Sequence, residues 1–217
     1  MSEHGVFVTF EGIEGVGKST QLSRLCARLQ GAGREVITTR EPGGTPLAEA
    51  IRGLVLNAAG EVVSPTAELM LMCAARAVHV ENLIRPALAR GAWVLCDRFF
   101  DATYAYQGGG RGVALAAIDQ LASLTLAGLT PHLTLLFDAP VTTALARAKS
   151  RGGVTDRFES EQEAFFERVK AMYHQRLQQD PQRLKLIDAT LSPDAVESLV
   201  WEQVKLLIGG QASAVQR

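Results

Sequence analysis

Cysteines and surplus basic residues are both scarce in this sequence, and each scarcity excludes a class of protein. The 217 residues include three cysteines, Cys26, Cys73 and Cys96. An odd number at such wide spacing does not suit a disulfide framework or a zinc site, so reduced core thiols are expected. Lys and Arg total 22 against 23 for Asp and Glu, a formal net charge of -1. The chain lacks the basic excess of a dedicated nucleic-acid binder, and we expect no nucleic-acid partner.

Long apolar runs are also missing. The longest, residues 69–75, falls well short of the roughly 20 residues that span a bilayer. Residues 1–4 are polar, and no basic segment precedes an apolar stretch as it would in a secretory signal. Hydrophobic residues make up 47% of the chain, which is enough to bury a core. We therefore expect a cytoplasmic protein without a membrane partner, built as one domain over 1–217.

Short apolar runs alternate with longer helical stretches along the chain. The predicted strands are 6–10, 35–39, 92–96, 133–137 and 184–187. The predicted helices are 18–30, 46–57, 65–90, 113–126, 141–149, 162–179 and 193–208. Continuous apolar strands between helices indicate a parallel sheet covered on both faces, so the pattern predicts a doubly wound α/β architecture.

Every predicted strand is followed by a charged residue. These residues are Glu11, Arg40, Asp97, Asp138 and Asp188. Open parallel sheets bind their ligands at the carboxyl ends of the strands. A strand must also become polar where it leaves the core, which explains one or two such ends but not the concentration of Arg and Gly at three of them. The pattern therefore favours a ligand site at this edge.

Residues 12–19 (GIEGVGKS) match the phosphate-binding motif G-x-x-x-x-G-K-[ST] between a predicted strand and a predicted helix. Glycines let successive backbone N–H groups face phosphate oxygens, and the helix N-terminus adds partial positive charge. Lys18 is expected to reach the β- and γ-phosphates, and the Ser19 hydroxyl to ligate Mg²⁺. The alternative is a glycine-rich turn without a ligand, since a chance match occurs in roughly one such chain in a hundred. The motif predicts a nucleoside triphosphate.

Other motifs and the chain length distinguish between the classes of protein that bind nucleoside triphosphates. A GTPase would carry an Asn-Lys-x-Asp motif, which is absent, and a motor or transporter ATPase is usually longer. A small phosphoryl-transfer kinase fits the length. Such an enzyme needs a second anion site for its acceptor and a means of excluding water, which is a competing acceptor.

Arginines supply candidates for both needs. Arg147, Arg151 and Arg157 fall in a glycine-containing segment that could close over a triphosphate, the alternative being a solvated helix end paired with nearby acids. Asp97 can hold a water on Mg²⁺ and Arg98 can grip a phosphate, the alternative being a structural ion pair.

Three further segments could contact a ligand. Residues 40–45 (REPGGT) combine a fixed turn with glycines that permit close approach, although a plain turn before a helix has the same pattern. Arg76 lies on a largely apolar predicted helix and needs a partner, for which a ligand carbonyl is one candidate. Residues 104–112 (YAYQGGGRG) join aromatics and an amide to a flexible stretch. This suits a planar ring, the alternative being a loop with buried tyrosines.

Taken together, these motifs resemble bacterial thymidylate kinase over roughly residues 6–205. The resemblance is carried, in the order and spacing of that family, by residues 10–20 (FEGIEGVGKST), 39–45 (TREPGGT), 97–99 (DRF), 105–112 (AYQGGGRG) and 156–159 (DRFE). It implies a P-loop NTPase-type three-layer α/β fold, with a five-stranded parallel sheet, helices on both faces and a short Arg-rich lid at about 148–159. It also implies transfer of the ATP γ-phosphoryl group to dTMP with Mg²⁺, giving dTDP and ADP.

The resemblance assigns roles residue by residue. The implied catalytic residues are Lys18, Asp97, Arg98 and Arg151, and the implied metal-binding residues are Ser19 and, through water, Asp97. The implied ATP-binding residues are Gly12, Ile13, Glu14, Gly15, Val16, Gly17, Lys18, Ser19, Thr20 and Arg147. The implied dTMP-binding residues are Glu14, Arg40, Pro42, Met72, Arg76, Arg98, Thr103, Tyr106 and Gln107.

Four of these assignments are specific. In the family, the residue at Glu14 approaches the sugar 3′-hydroxyl, and that at Arg98 holds the acceptor phosphate. Arg76 corresponds to the arginine that bonds a thymine carbonyl, and Tyr106 to a tyrosine that packs near the deoxyribose and disfavours a 2′-hydroxyl. The two remaining matches near the base are Thr103 and Gln107.

Two positions depart from some members of the family. One group carries its catalytic arginine in the phosphate loop, where this chain has Gly15, so the lid residue Arg151 is the candidate here. Met72 stands where many members place a phenylalanine that stacks on thymine; a thioether can also cover a ring. The resemblance further implies a homodimer packed through helices beside the sheet.

Two other functions stay open from the sequence. One is a small P-loop kinase acting on another nucleotide or on a metabolite such as shikimate, which residues 40–45 and the Tyr106-Gln107 pair disfavour. The other is a nucleotide-binding switch that turns over slowly and regulates a partner. A switch would bind ATP without acceptor-stimulated ADP formation, so a panel of acceptors separates the three.

Overall fold

The computed structural model describes residues 5–57, 62–150, 158 and 161–213, with only the backbone for 209–213. Its sheet has five parallel strands in the order β2-β3-β1-β4-β5. The strands are β1 Val6–Glu11, β2 Val36–Arg40, β3 Trp93–Asp97, β4 Leu133–Asp138 and β5 Leu184–Asp188. The predicted parallel sheet is confirmed, and each strand ends one residue later than predicted, on its charged residue.

Helices fill the connections between the strands. They are α1 Lys18–Gly31, α2 Pro46–Leu56, α3 Pro65–His79, α4 Arg85–Ala89, α5 Phe100–Thr103, α6 Leu115–Leu126, α7 Val141–Ser150, α8 Glu163–Gln179 and α9 Pro193–Ser213. Two of them begin in the same way: Thr45 and Ser64 accept from backbone N–H groups of the first turn, and a proline follows each cap. Such caps satisfy donors that the helix itself leaves unpaired, and proline fits the first helical position.

The helix predicted over 65–90 is continuous but not uniform. A π-helical turn, Val80–Ile84, joins α3 to α4 just before Pro86. Proline lacks an N–H group and its ring crowds the carbonyl four residues earlier. A wider turn at this point relieves both problems, so the irregularity has a local cause.

The core lies on both faces of the central strand. All six residues of β1 are buried. Phe7 packs in the apolar cluster on one face, whereas Val8 and Phe10 pack in the cluster on the other. Because successive side chains of a strand point to opposite faces, this division shows helices covering the sheet on two sides. The predicted three-layer arrangement is therefore confirmed.

The segment predicted as a flexible, glycine-rich stretch is helical instead. A second π-helical turn, Tyr104–Gly110, continues from α5, and most of its residues are buried. A Cβ atom at Gly109 would lie 2.8 Å from the Arg168 carbonyl oxygen, and one at Gly110 would lie 2.5 Å from the Phe165 ring. These glycines serve close packing against α8 rather than flexibility. Among the described helices, none has both the length and the apolar character needed to cross a bilayer.

Candidate active site

The loop from Gly12 to Ser19, called the phosphate loop below, joins β1 to α1. Gly12, Gly15 and Gly17 have φ angles of 127°, 79° and 89°, values that side chains with a Cβ atom rarely adopt. A Cβ atom at Gly15 would also lie only 1.8 Å from the Ala144 carbonyl oxygen. The glycines of the motif are therefore required by backbone conformation and by close packing against α7.

Lys18 folds back over this loop. Its Nζ donates to the carbonyl oxygens of Gly12, at 3.0 Å, and Ile13, at 2.9 Å. Burial lowers the pKa of Lys18 to about 8, and the positive charge of Arg98 acts in the same direction, against the opposing charge of Asp97. A bound phosphate would offset the burial and favour the ammonium form. The side chain is thus positioned for an anion held by the loop.

Ser19 and Asp97 form a candidate Mg²⁺ position at the start of α1. The Ser19 hydroxyl lies 3.4 Å from Asp97 Oδ2, and the buried Oδ1 of Asp97 has no hydrogen-bond partner among the described residues. Within that part of the chain, no cluster of three or more His, Cys, Asp or Glu residues could hold a metal alone. Mg²⁺ usually takes one or two protein oxygens and completes its shell with water and phosphate. The residues present fit that pattern.

A recess of about 500 Å³, its open mouth included, lies beside the phosphate loop and is called the inner cavity. Its walls come from the phosphate loop, from the segment after β2 and the second half of α2, from α3, and from the segment after β3 with α5 and the turn that follows. Six predicted site residues meet there: Glu14, Pro42, Met72, Arg76, Arg98 and Tyr106. The structure therefore brings most of the sequence-predicted dTMP residues to one site.

Arg98 dominates the electrostatics of the inner cavity. Its guanidinium donates to Glu14 Oε1 at 2.9 Å and to the Gly12 carbonyl oxygen at 2.8 Å, and it lies 4.7 Å from the centre of the Tyr106 ring. Burial would lower the pKa of Arg98, but Tyr106 and Glu14 raise it well above its usual value. Arg98 therefore stays cationic, with Glu14 and the Tyr106 hydroxyl joined beside it at 2.9 Å.

Arg76 reaches the same cavity from α3, with protein partners on all three of its nitrogens. It donates to Glu41 at 2.6 Å, to Thr103 at 2.9 Å and to the Phe99 carbonyl oxygen at 3.0 Å. The sequence indicated that Arg76 needs a partner, and Glu41 is the acidic side chain that supplies it. Three of the five N–H groups of a guanidinium are used in this way, which leaves donors available for a ligand. Thr103 joins the site through Arg76 rather than by lining the cavity.

Two other predicted residues lie apart from the cavity wall. Gln107 is fully buried and donates to Glu68 at 2.8 Å, while its Oε1 has no partner among the described residues. Arg40 is half exposed, pairs with Glu49 at 3.0 Å and lines a separate open groove that also contains Ser19 and Asp97. The structure thus places Arg40 on the side of the phosphate loop where the candidate Mg²⁺ position lies.

A second space, called the outer pocket, adjoins the opposite side of the phosphate loop. It encloses about 640 Å³ including its open mouth, and it is lined by Gly15, Val16, Gly17, Thr20, Gln21, Arg147, Ala189, Leu191, Pro193 and Val196. Arg147 donates to the Ala189 carbonyl oxygen at 2.8 Å. The pocket also holds a buried acceptor, Gln21 Oε1, that has no partner among the described residues. The predicted ATP residue Arg147 therefore lies at the loop after β5.

The lid arginines Arg151 and Arg157, and most of the lid segment 148–159, lie outside the described residues. Phe158 is described, is buried and lines the inner cavity. The catalytic assignment of Arg151 therefore stays a prediction.

Several cavity residues were missed by sequence reasoning. They are Glu41, Arg52, Leu56, Phe99, Ala102 and Phe158. Arg52 and Leu56 are four positions apart on α2, and such a pair faces the same side of a helix. The sequence could therefore have indicated that Arg52 and Leu56 face the same side. Arg52 donates to the Pro42 carbonyl oxygen at 2.9 Å. Phe99 and Ala102 carry no comparable signal, because apolar residues after a strand are ordinary core residues.

Comparison with known proteins agrees with this geometry. The thymidylate kinase family model matches residues 10–200. The chain is 56% identical to a thymidylate kinase of Pseudomonas putida strain GB-1, over 89% of this chain and 91% of that protein. It is 49% identical to a thymidylate kinase of Bradyrhizobium, over 93% of this chain and 90% of that protein.

A solved structure extends the likeness to the fold. The crystal structure of thymidylate kinase from Ehrlichia chaffeensis matches with a TM-score of 0.74 and 32% identity, covering 93% of this chain and 99% of that one. The chain therefore belongs to the thymidylate kinase family, a family of nucleoside monophosphate kinases.

Proposed function

We propose that this chain transfers the γ-phosphoryl group of ATP to dTMP, giving dTDP and ADP, with dTMP in the inner cavity and ATP in the outer pocket. One observation carries the proposal. Glu14 lines the inner cavity and its neighbour Gly15 lines the outer pocket, so the phosphate loop is the wall between the two. Ligands on either side would bring their phosphates together at Lys18 and Arg98.

In the inner cavity, charge complementarity assigns the parts of dTMP. Arg98 binds the phosphate, since it is the arginine of the cavity wall that bonds the phosphate loop and a guanidinium suits phosphate oxygens. Glu14 and Tyr106, which already share a hydrogen bond, face the deoxyribose. Arg76 donates a remaining N–H to a thymine carbonyl, and Met72 covers the ring face.

Gln107 and Arg40 take narrower roles. The buried Gln107 oxygen has no partner among the described residues, and a buried acceptor left unpaired is unfavourable. Because Gln107 lies behind the cavity wall and donates to Glu68, we assign it to supporting that wall rather than to bonding the base. Arg40 lies in the groove that contains Ser19 and Asp97, 3.0 Å from Glu49. We therefore assign it to the positive charge around the phosphates rather than to a contact with the base. Pro42 forms part of the cavity wall.

In the outer pocket, the loop N–H groups and Lys18 hold the ATP phosphates, and Arg147 lies against the adenine. Mg²⁺, when bound, supplies positive charge to the β- and γ-phosphates. Ser19 and Asp97 are the residues that would hold it, Asp97 through a water, which would satisfy its free buried oxygen. Arg151 in the lid is the proposed additional cation at the transferring group.

Catalysis in this arrangement is mainly positioning and charge neutralisation. The donor and acceptor are both anions and repel each other, and phosphoryl transfer asks little covalent chemistry of the protein. Lys18 is buried and the Arg98 side chain is only 17% exposed, so their charges act in a lower dielectric than water, where they are worth more. Phe158, over the inner cavity, would help to exclude water as a competing acceptor.

We also propose that the chain forms a homodimer through α2, α3 and α6. Large apolar side chains on these helices are exposed, namely Leu47, Leu54, Met70 and Leu124. Helices α2 and α3 pack together, as do α3 and α6, which makes one surface from the three. Apolar patches of this kind mark interfaces, and a closed two-fold dimer is the commonest assembly.

Two further assignments complete the proposal. We place the enzyme in the cytoplasm, because its three cysteines are free and two are buried, as suits a reducing compartment. We treat 1–217 as one kinase domain, since all five strands belong to one sheet.

An acceptor panel tests the proposed activity. ADP formation from ATP is measured with dTMP, dUMP, AMP, CMP and shikimate. The proposal predicts the highest kcat/KM for dTMP. A preference for AMP, CMP or shikimate would support the alternative of a different small kinase, and ADP formation that no acceptor stimulates would support a nucleotide switch.

A further inference from the structure

Glu11 is a buried acid for which the mechanism above has no use. It ends β1, directly before the phosphate loop, and it is 0% exposed. Its two carboxylate oxygens have different partners. Oε1 accepts from the Phe99 backbone N–H at 2.7 Å, and Oε2 accepts from the Tyr173 hydroxyl at 2.7 Å. A charged group is rarely buried so completely unless its bonds are specific.

One of those bonds fixes the backbone directly after Arg98. Arg98 has a φ of 66°, in the left-handed region that non-glycine residues seldom occupy and that persists only where surrounding contacts hold it. Its own N–H donates to the Phe10 carbonyl oxygen at 2.9 Å, and its carbonyl oxygen accepts from Cys96 at 2.9 Å. The Glu11 bond to Phe99 is the next link, immediately after the strained residue.

The second bond reaches the tip of the same side chain. Arg98 Nη1 lies 3.3 Å from the Tyr173 hydroxyl, which in turn donates to Glu11. Glu11 is therefore connected to Arg98 both through the backbone that follows it and through Tyr173 at its guanidinium. Tyr173 is 1% exposed, so water does not replace it in this chain of bonds.

We propose that Glu11 is a positioning residue for phosphoryl transfer, holding Arg98 in the left-handed conformation that aims its guanidinium at the acceptor phosphate. The inference deepens the proposed function and rests on it. Glu11 touches no substrate; it acts only through Phe99, Tyr173 and Arg98. A small misplacement of a positioning cation strongly weakens transition-state stabilisation. Loss of Glu11 should therefore weaken the binding of an acceptor that carries a phosphate and leave binding of its base unchanged.

The groups around Glu11 act on its pKa in opposite directions. Burial raises the pKa of Glu11 to about 7, as does the charge of Asp101, whereas the bond from Tyr173 and the charge of Arg98 lower it. The carboxyl is therefore about half ionised near neutral pH, and the bonds from Tyr173 and from the Phe99 N–H are among the contacts that favour the ionised form.

The test compares binding of dTMP with binding of thymidine, which lacks the phosphate that Arg98 would hold. Glu11→Gln keeps the shape but removes the charge, and Tyr173→Phe removes only the bridging hydroxyl. For each we expect dTMP affinity and kcat to fall about tenfold, with thymidine affinity within about twofold of wild type. Tyr104→Phe is the matched control, since its hydroxyl bonds Asp119 and does not reach Arg98.

A second comparison separates this inference from the proposed function. Arg98→Ala should weaken dTMP binding and leave thymidine binding unchanged. If it does not, the proposed function fails. If it does, while both Glu11→Gln and Tyr173→Phe lower dTMP and thymidine affinity equally or change neither, the positioning role is overturned. Should Glu11→Gln fail to fold, Tyr173→Phe alone decides between these outcomes.

Discussion

Arg98 and Glu14 form an ion pair in the wall of the inner cavity, with Nη2 and Oε1 2.9 Å apart and side chains 17% and 15% exposed. The cation proposed to hold the acceptor phosphate is therefore already oriented by an acid from the phosphate loop. The same acid accepts from the Tyr106 hydroxyl, so one carboxylate orders both neighbours. This links the loop that binds the donor to the residues that receive the acceptor.

Glu14→Ala tests that link. Removing the carboxylate frees Arg98 and Tyr106, and it removes the proposed partner of the sugar 3′-hydroxyl. We expect KM for dTMP to rise about tenfold and KM for ATP to change little, as measured by steady-state ADP release. Glu81→Ala is the control, because that acid is exposed and pairs with Arg85 away from the site. A selective loss of ATP binding in Glu14→Ala would contradict the assignment.

Lys18→Ala tests the donor side. The variant removes the buried ammonium and its bonds to two loop carbonyls. We expect kcat to fall by a factor of about one hundred or more, because the charge acts on the transferring phosphoryl group, with far-UV circular dichroism unchanged. Lys185→Ala, at a partly exposed lysine of β5 that bonds the Pro181 carbonyl oxygen, should keep wild-type turnover. Near-normal turnover in Lys18→Ala would remove Lys18 from the mechanism.

Stability should depend on pH through Glu11. Its pKa is raised from 4.5 to about 7, with Lys18, Arg98, Asp101 and Tyr173 as its charged or titratable neighbours. A raised pKa in the folded state means that the stability from the bound proton is full below about 4.5 and lost as pH rises through about 7. Glu11→Gln cannot titrate.

We therefore expect the free energy of unfolding of Glu11→Gln, relative to wild type, to increase between about pH 5 and about pH 8, by at most about 3 kcal/mol. Urea denaturation of both proteins at several pH values measures it. A difference that stays constant, or that shrinks with rising pH, would show that Glu11 is not the titrating group.

The dimer proposal is tested with exposed leucines. Leu54→Glu on α2 and Leu124→Glu on α6 place a charge on side chains that are 62% and 77% exposed in the single chain. If these helices form the interface, each variant should shift the mass measured by light scattering from dimer toward monomer, since an unpaired charge is poorly tolerated there. Leu206→Glu on α9, where the leucine is 65% exposed, should leave the mass unchanged. Equal behaviour of all three variants would rule out this surface.

Short stretches of sequence were sufficient to predict the sheet and the phosphate loop. Strand ends followed from apolar runs meeting charged residues, and the register then aligns Phe10 with Asp97 and Arg40 with Asp97. The glycines of the motif were predictable because the conformation of the loop itself requires their positive φ angles. These features depend on short stretches of sequence, which is why the chain alone indicated them.

Features that depend on packing between distant segments were not predictable in the same way. Residues 108–110 indicated flexibility, but Gly109 and Gly110 pack directly against α8 and Gly108 packs against α6. Arg76 clearly needed a partner, yet Glu41 lies 35 positions away. The connection from Glu11 through Tyr173 to Arg98 spans 162 positions in its longest step. Neither periodicity nor a short motif contains such information.

The most direct test of the central claim is a crystal structure of the enzyme with dTMP and ADP. The account predicts dTMP in the inner cavity with its phosphate within hydrogen-bonding distance of Arg98, and the ADP β-phosphate on the phosphate loop beside Lys18. Finding dTMP outside the inner cavity, or with its phosphate directed away from Lys18 and Arg98, would contradict the account.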